Sequence, residues 1–262
     1  MEKITGNVFY ENKIRGCNPG FVVTGEGIVL IDFPVDFEFT KRWMREIAKR
    51  GKIRCMINTE HHMDHWLCNG LFEGDIIAHE ATREIMRTMD LDFIRKRTKA
   101  LYIDPLVIPE GYQLKYPNIT YRGGMTLYFG KHTFQLIHTP GHTSGLTAVY
   151  IPEEKAVFTG DNVVGQTRTA YHDAQPEKWL ESLKALEGLD VKFVLPGHGK
   201  VCDKPYLKQQ AAIVRGWWEG SQKAKAEGIP FDDEAKRTID PYYGTRDTGI
   251  KPDVTLTATS VR

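Results

Sequence analysis

A cluster of metal-binding side chains directly follows a predicted buried strand, and this junction limits which folds the chain can adopt. The apolar run Ile53–Ile57 leads into Asn-Thr-Glu-His-His-Met-Asp-His at positions 58–65. Four side chains of this stretch can bind a metal ion through nitrogen or oxygen: Glu60, His62, Asp64 and His65. In an apolar core each would need its own polar partner, because an unpaired buried polar group is costly. The junction therefore favours a fold in which the ends of strands supply the ligands of a metal centre.

The spacing within this cluster predicts two groups of ligands. Alternate residues of an extended segment point to the same side, so Glu60 and His62 are expected to face one ion together. Asp64 and His65 lie where the chain turns, and we expect them to reach a second ion. His61 is shifted by one position, and its side chain is expected on the opposite side of the segment.

Three later strands also end in a residue that can bind a metal ion, each beside glycine. They are followed by Thr-Pro-Gly-His142, Thr-Gly-Asp161 and Pro-Gly-His198. Glycine lets the backbone turn sharply and come close to a bound ion. A single Gly-His in a loop is most often a solvated or core histidine, since histidine has many structural roles. Four strand ends that all supply ligand-type residues indicate a shared metal site.

The order of predicted elements indicates an α+β fold. Strands are predicted at Val8–Tyr10, Gly20–Val23, Ile28–Phe33, Ile53–Ile57, Asp75–Ala78, Met125–Phe129, His132–His138, Leu146–Ile151, Ala156–Thr159 and Val191–Leu195. Helices are predicted over about 37–50, 81–99, 176–187 and 206–227. Prolines make the stretch 100–123 irregular. Two runs of strands, each followed by helices, predict an αββα sandwich of two mixed sheets packed face to face with helices outside.

Charge and hydropathy limit the partners that the chain can have. The 35 basic and 34 acidic residues give a net charge of +1, which leaves no basic field to attract nucleic acid. The N-terminus has no apolar signal segment, and no stretch approaches the length of a membrane span. The four cysteines are scattered without a pairing pattern, as in reduced proteins. We expect a cytoplasmic protein that acts on a small molecule and binds neither nucleic acid nor membranes; nothing in the sequence indicates an oligomeric state.

The ligand-type residues, taken in order, resemble the metallo-β-lactamase fold superfamily. The first of the residues that carry the resemblance is Asp32, at the end of an early strand, and the resemblance covers roughly residues 8 to 206. It implies two metal ions in the groove between the two sheets. The implied ligands are His62, His142 and residue 60 for the first ion, Asp64, His65 and His198 for the second, and Asp161 between both. The resemblance also implies that Asp32 has a structural role, holding the loop that carries the cluster.

One departure from the family pattern concerns the first ligand. The family pattern is His-x-His-x-Asp-His, and this chain has Glu60 in place of the first histidine. Three alternatives follow: Glu60 binds the first ion through a carboxylate oxygen, the first site is weak and one ion remains, or catalysis has been lost. Zinc is the first expectation for both ions. A carboxylate is a harder ligand than imidazole, and it shifts the metal preference of the first site towards iron or manganese.

The resemblance implies a dinuclear hydrolase, in which a metal-bridging hydroxide attacks an ester, lactone, thioester or amide of a small to medium-sized substrate. Asp64 is expected to orient the nucleophile as well as to bind metal. Tyr171 and His172 follow Asp161 in a loop and are candidates for the acid that protonates the leaving group. The alternative for His172 and Asp173 is that they cap the helix beginning near Pro176.

Two other functions fit the same residues. One is an iron-dependent oxidoreductase that uses these ligands, and the other is a non-catalytic binding protein with a degraded metal site. The polar C-terminal stretch, rich in Pro and Gly, suggests a division of the chain. We expect a metallo-β-lactamase-like catalytic domain over residues 1–227 and an extension over 228–262 that packs on it or trails from it.

Overall fold

Two β-sheets lie at the centre of this computed structural model, which describes residues 1–101, 104 and 106–242. Within that part of the chain the first sheet has seven strands in chain order: β1 (Glu2–Lys3), β2 (Val8–Tyr10), β3 (Gly20–Thr24), β4 (Gly27–Ile31), β5 (Ile53–Ile57), β6 (Asp75–His79) and β7 (Ile119–Tyr121). Strands β1 to β4 pair antiparallel, whereas β4 to β7 pair parallel. The sheet is therefore mixed, as predicted.

The second sheet has the order β13-β11-β10-β9-β8. Its strands are β8 (Gly124–Phe129), β9 (His132–His138), β10 (Thr147–Ile151), β11 (Ala156–Phe158) and β13 (Phe193–Leu195). Strands β8 to β11 pair antiparallel, and β13 adds parallel to β11. A small parallel pair, β12 (Val164–Gly165) and β14 (His198–Gly199), lies beside the ligand loops.

Helices cover the outer faces of the two sheets. Within the described residues they are α1 (Phe37–Ala48), α2 (Glu80–Met86), α3 (Leu91–Leu101), α4 (Pro176–Glu187), α5 (Tyr206–Glu227) and α6 (Asp233–Ile239). None of these helices combines the length and the apolar character needed to span a membrane. Residues 243–262, the larger part of the proposed C-terminal extension, lie outside the described residues.

Neighbouring residues of a strand pack into different apolar layers. Val29 of β4 lies in a core that it shares with Leu136 of β9, between the two sheets. The next residue, Leu30, lies in a second core with Trp43 of α1. A third core joins the outer face of the second sheet to α4 and α5. Burial of one such aliphatic side chain contributes about 1.5–3 kcal/mol, so both faces of the strands stabilise the predicted αββα sandwich.

The direction of the strands brings the ligand loops to one edge of the sandwich. Strands β4 and β5 are parallel, so Asp32 and the cluster at 58–65 follow strands that end on the same side. In the second sheet β9, β11 and β13 run in one direction, because two antiparallel pairings relate β9 to β11. His142, Asp161 and His198 follow these three strands. The sequence predicted the strands, and their pairing explains why the ligands meet.

The structure corrects two predicted elements. The single helix expected over 81–99 is two helices, α2 and α3, because the side chain of Asp90 accepts the backbone N–H of Phe93 (2.7 Å) and begins a new helix. The stretch 100–123, expected to be irregular, contains the edge strand β7. Asn118 stabilises its start by accepting the backbone N–H of Ile76 (2.7 Å) through its side chain. A three-residue strand after Pro117 is too short to show an alternating pattern.

Gly20 allows the two sheets to approach each other closely. A Cβ at this position would overlap Cε1 of Phe158 in the opposite sheet. Gly20→Ala should therefore destabilise the fold by about 1–3 kcal/mol, the cost of overpacking a filled core. Denaturant unfolding followed by circular dichroism measures the change. Gly25→Ala is the matched control, since no atom lies within 4 Å of its Cβ position; equal losses in both variants would contradict the account of sheet packing.

Candidate metal centre

Asp32 holds the loop that carries the ligand cluster. Its Oδ1 accepts the backbone N–H of Thr59 (2.7 Å), and its Oδ2 accepts the hydroxyl of Thr59 (2.6 Å). The same Oδ2 accepts the Nδ1–H of His65 (2.9 Å). Asp32 is buried, with 3% of its surface exposed. The carboxylate thus sets both the backbone position of the cluster and the orientation of the His65 ring.

Glu60, His62 and His142 converge on one point, and we call them the first group. Oε2 of Glu60 lies 2.8 Å from Nδ1 of His62 and 3.7 Å from Nε2 of His142. The two ring nitrogens lie 3.0 Å apart. Glu60 is fully buried, so its carboxylate is part of the centre and does not reach solvent.

Asp64, His65 and His198 form the second group. Nε2 of His198 lies 3.1 Å from Oδ2 of Asp64. The rings of His65 and His198 meet edge to face, with centroids 5.6 Å apart. One ligand atom from each of the three residues lies within 4.8 Å of the others.

Asp161 lies between the two groups. Its Oδ1 is 3.3 Å from Nε2 of His65, and its Oδ2 is 3.3 Å from Nε2 of His198, both in the second group. The same Oδ2 is 3.5 Å from Nε2 of His142 in the first group. The backbone N–H of Asp161 also donates to Oε1 of Glu60 (3.1 Å). Its carboxylate therefore contacts both groups.

Hydrogen bonds on the outer side of each ring determine which nitrogen points inward. Nε2–H of His62 donates to Oδ2 of Asp173 (2.9 Å), and Nδ1–H of His142 donates to the carbonyl of Ala170 (3.0 Å). In neutral rings the inward nitrogens, 3.0 Å apart, both carry lone pairs. Two such lone pairs repel each other unless a proton or a metal ion lies between them.

In the second group, too, an outward hydrogen bond leaves the other ring nitrogen facing inward. Nδ1 of His65 is bound to Asp32, so in a neutral ring the Nε2 that faces Asp161 carries a lone pair. This Nε2, Oδ1 of Asp161 and Oε2 of Glu60 are buried, and within the described residues the polar groups that they face belong to other ligand-type side chains. Imidazole nitrogens and carboxylate oxygens are ligands of zinc, iron and manganese, and metal-bound histidines commonly donate their outer N–H to a carboxylate or carbonyl. The residues present fit a divalent metal ion in each group.

The charges of the first group depend on one another. Burial and the neighbouring Asp161 act to raise the pKa of Glu60, but the surrounding imidazoles outweigh them and hold the pKa at about 2. Burial opposes charging of His62, yet Glu60 and Asp173 raise its pKa to about 10. Without metal, His62 therefore carries the proton that stabilises the buried carboxylate. A metal ion that binds to the first group must displace this proton.

Two glycines beside the ligands occupy positions where a larger residue would clash. Gly160 adopts a φ of +51°, a left-handed conformation that glycine tolerates, and a Cβ there would lie 2.9 Å from Oγ1 of Thr59. A Cβ on Gly197 would overlap Oδ1 of Asp161. The Gly-Asp and Gly-His pairs of the sequence thus permit close packing of the ligand loops.

His172 lies beside the first group without belonging to it. Its ring centroid is 4.5 Å from that of His62 and 6.2 Å from that of His142. Burial and the neighbouring His62 and His142 lower the pKa of His172 to about 3. The ring is therefore neutral near physiological pH, a form that is not a strong proton donor.

Tyr171, a candidate proton donor in the sequence, packs against two tryptophans. Its ring stacks on Trp217 with centroids 3.9 Å apart and a 4° angle between the planes, and it also contacts Trp179. Burial and the nearby Asp240 raise the pKa of the hydroxyl. Tyr171 anchors the loop against α4 and α5, while its hydroxyl lies near Asp240 of the C-terminal segment.

Asp173 was considered in the sequence only as a helix cap, and the structure gives it another contact. The residue before α4 is Gln175, which makes no side-chain capping bond. The carboxylate of Asp173 contacts His62 instead. His61 belongs to neither ligand group, is buried, and has its Nε2 3.5 Å from Oδ2 of Asp173. No spacing rule predicts the contact with Asp173, because it joins residues 111 positions apart.

Comparison with known families agrees with this geometry. Residues 13–198 match the profile of the metallo-beta-lactamase superfamily. A hydroxyacylglutathione hydrolase from Brucella anthropi is 33% identical over 172 residues, which cover 64% of this chain and 54% of the relative. An atrochrysone carboxyl ACP thioesterase from Aspergillus fumigatus is 35% identical over 83 residues, or 32% of this chain and 26% of the relative. The chain thus spans only about a quarter to a half of the length of these curated relatives.

Solved structures share the fold at low sequence identity. A metallo-beta-lactamase from Pontibacter korlensis superposes with a TM-score of 0.64 at 20% identity, over 82% of this chain and 97% of that chain. A double mutant of a sec-alkyl sulfatase superposes with a TM-score of 0.72 at 15% identity, over 92% of this chain and 46% of that chain. At these identities the likeness shows the fold alone.

Replacing the carboxylate of Glu60 tests whether it binds metal. Glu60→Gln keeps the shape of the side chain but removes the charge that faces His62 and His142. If an oxygen of Glu60 is a ligand, the affinity of the first group for metal should fall by about 10-fold or more, measured by competition with a chromophoric chelator. Glu46→Gln, on the exposed face of α1, is the control. Unchanged stoichiometry and affinity in Glu60→Gln would show that the carboxylate is not a ligand.

Proposed function

This chain belongs to the metallo-β-lactamase superfamily, and we propose that it is a dinuclear metal-dependent hydrolase. The proposed substrate is a small to medium-sized ester, lactone, thioester or amide. The observation that carries the proposal is the pair of ligand groups joined by Asp161, in which ring nitrogens and carboxylate oxygens face one another while the outward nitrogens of His62, His65 and His142 are hydrogen-bonded. This arrangement leaves two adjacent positions where a cation would relieve the repulsion.

Each residue of the centre has a different role in the proposed reaction. When bound, two divalent ions acidify water to give a nucleophile and stabilise the negative charge that develops on the carbonyl oxygen. Asp161 contacts both groups and holds them at a constant separation. The side chain of Asp64 is 17% exposed, more than those of His65 and His198, so we assign it the orientation of the attacking water. We assign His172 a contact with the substrate, because its neutral ring lies next to the first group.

In the proposed hydrolase, Glu60 gives the first group more negative charge than three histidines would. Its carboxylate is fully buried, so its charge acts on the ion through a medium of low dielectric constant. This charge makes the bound ion a weaker Lewis acid and suits manganese or iron better than three imidazoles would. Zinc remains the first choice of metal, since its ligands include nitrogen and carboxylate oxygen alike.

The relatives favour thioester and ester hydrolysis among the possible reactions. Two of them are described as a hydroxyacylglutathione hydrolase and an ACP thioesterase, names that denote hydrolysis of acyl compounds. Purified protein should therefore be assayed with lactones, thioesters, aryl esters and β-lactams after loading with each metal. Two ions of zinc or manganese per chain with turnover of an acyl substrate support the proposal. Iron with oxygen consumption favours an oxidoreductase, and retention of no metal favours a binding protein.

Asp161 provides the sharpest test of a dinuclear centre. Asp161→Ala removes the carboxylate that lies within 3.5 Å of histidines in both groups, so activity should be abolished and the metal content should fall to one ion or none. Elemental analysis of the purified variant measures the content. Asp190→Ala, at an exposed carboxylate between β13 and α4, should keep the metal and the activity. Retention of two ions by Asp161→Ala would contradict the assignment of Asp161 to both groups.

A further inference from the structure

We propose that Asp173 is a positioning residue for the first metal ion. Its carboxylate accepts the Nε2–H of His62 and so directs Nδ1 of that ring towards Glu60 and His142. The inference rests on the proposed function, because it assigns a role in holding one of the two proposed ions. It adds a residue from a loop that supplies no ligand to either group.

The distances around Asp173 distinguish one partner from its neighbours. Three histidines present Nε2 to the same oxygen, Oδ2 of Asp173: His62 at 2.9 Å, His61 at 3.5 Å and His172 at 3.6 Å. Only the first distance lies within the usual range for an N–H···O hydrogen bond. The charge-assisted bond to His62 is therefore the principal contact of this carboxylate.

The loop is anchored on both sides of Asp173, and these anchors hold its carboxylate next to His62. Before it, the carbonyl of Ala170 accepts Nδ1–H of His142, and the ring of Tyr171 stacks on Trp217. After it, the backbone N–H of Gln175 donates to the carbonyl of Gly141 (2.8 Å). Asp173 thus occupies the middle of a short segment whose two ends are tied to the His142 loop and to α5.

Comparison with Asp32 shows what the contact does. Asp32 accepts the outer N–H of His65 in the second group, and Asp173 accepts the outer N–H of His62 in the first, each at 2.9 Å. Such outer carboxylates select the tautomer of a ligating histidine and raise its basicity. The two differ in burial, since the side chain of Asp32 is 4% exposed and that of Asp173 is 35% exposed. Substitution of Asp173 can therefore change the first group without opening the core.

The test compares metal binding in two variants with that of the unmodified chain. Asp173→Asn keeps an oxygen acceptor but removes the charge, and Asp173→Ala removes both. Titration of the metal-free protein with zinc, in competition with a chromophoric chelator, gives the affinity of each ion. We expect the affinity of one ion to fall by about 10–100-fold in Asp173→Ala, with a smaller loss in Asp173→Asn. Glu177→Gln, which neutralises an exposed carboxylate four positions away, should change neither affinity.

A second readout follows the hydrogen bond itself. In proton–nitrogen NMR spectra of the zinc-loaded chain, the Nε2–H of His62 should give a downfield signal that exchanges slowly with water. Asp173→Ala should abolish this signal and leave that of the Nδ1–H of His65 unchanged. A purely structural role for Asp173 would weaken both ions together and move both signals.

The possible outcomes separate this inference from the proposed function. Two ions bound with unchanged affinity in Asp173→Ala, or equal weakening of both ions, would overturn the role of Asp173 and leave the dinuclear centre standing. An unmodified chain that binds no zinc would overturn the proposed function and this inference together. Selective loss of one ion, with loss of the His62 signal, supports the assignment.

Discussion

The centre depends on imidazole rings that hydrogen-bond outward through one nitrogen and turn the other nitrogen inward. The outer nitrogens of His62, His65 and His142 are held by Asp173, Asp32 and the carbonyl of Ala170. What remains inside is a set of ring nitrogens and carboxylates, and with neutral rings their lone pairs and negative charges repel one another in a medium of low dielectric constant. A proton on His62 reduces this repulsion in the absence of metal, and a divalent ion in each group removes it. The arrangement is one that a cation stabilises.

The architecture of the sheets makes this concentration of polar groups possible. Strands that run in the same direction end at one edge of the sandwich, so loops from distant parts of the chain meet there. The apolar cores between and outside the sheets stabilise the strands, while the ligand loops carry the groups that the cores exclude. Gly160 and Gly197 let two of these loops pack without a side chain between them. The strands thus stabilise the fold, and the loops that follow them determine the geometry of the ligands.

Much of the site was predictable because its ligands lie at fixed spacings beside strands. The division into Glu60 with His62 and Asp64 with His65 followed from the alternation of an extended segment and the turn after it, and the structure places these residues in separate groups. The environment of the loop after Asp161 was not predictable. Tyr171 and His172 are adjacent in sequence, but Tyr171 packs on Trp217 and His172 lies beside His62, because contacts with α5 and α4 orient the loop. Likewise the break between α2 and α3 depends on one side chain, Asp90, which a helical period does not reveal.

The central claim is that Glu60 and Asp161 hold two adjacent ions together with the histidines. Anomalous diffraction from crystals of the zinc-loaded protein, recorded on both sides of the zinc absorption edge, tests this claim most directly. The account predicts two peaks about 3.5–4 Å apart, as in two-metal sites. One peak should contact an oxygen of Glu60 with His62 and His142, and the other should contact Asp64, His65 and His198. A single peak, or a first peak with no oxygen of Glu60 within about 2.0–2.2 Å, the usual bonding distance, would contradict it.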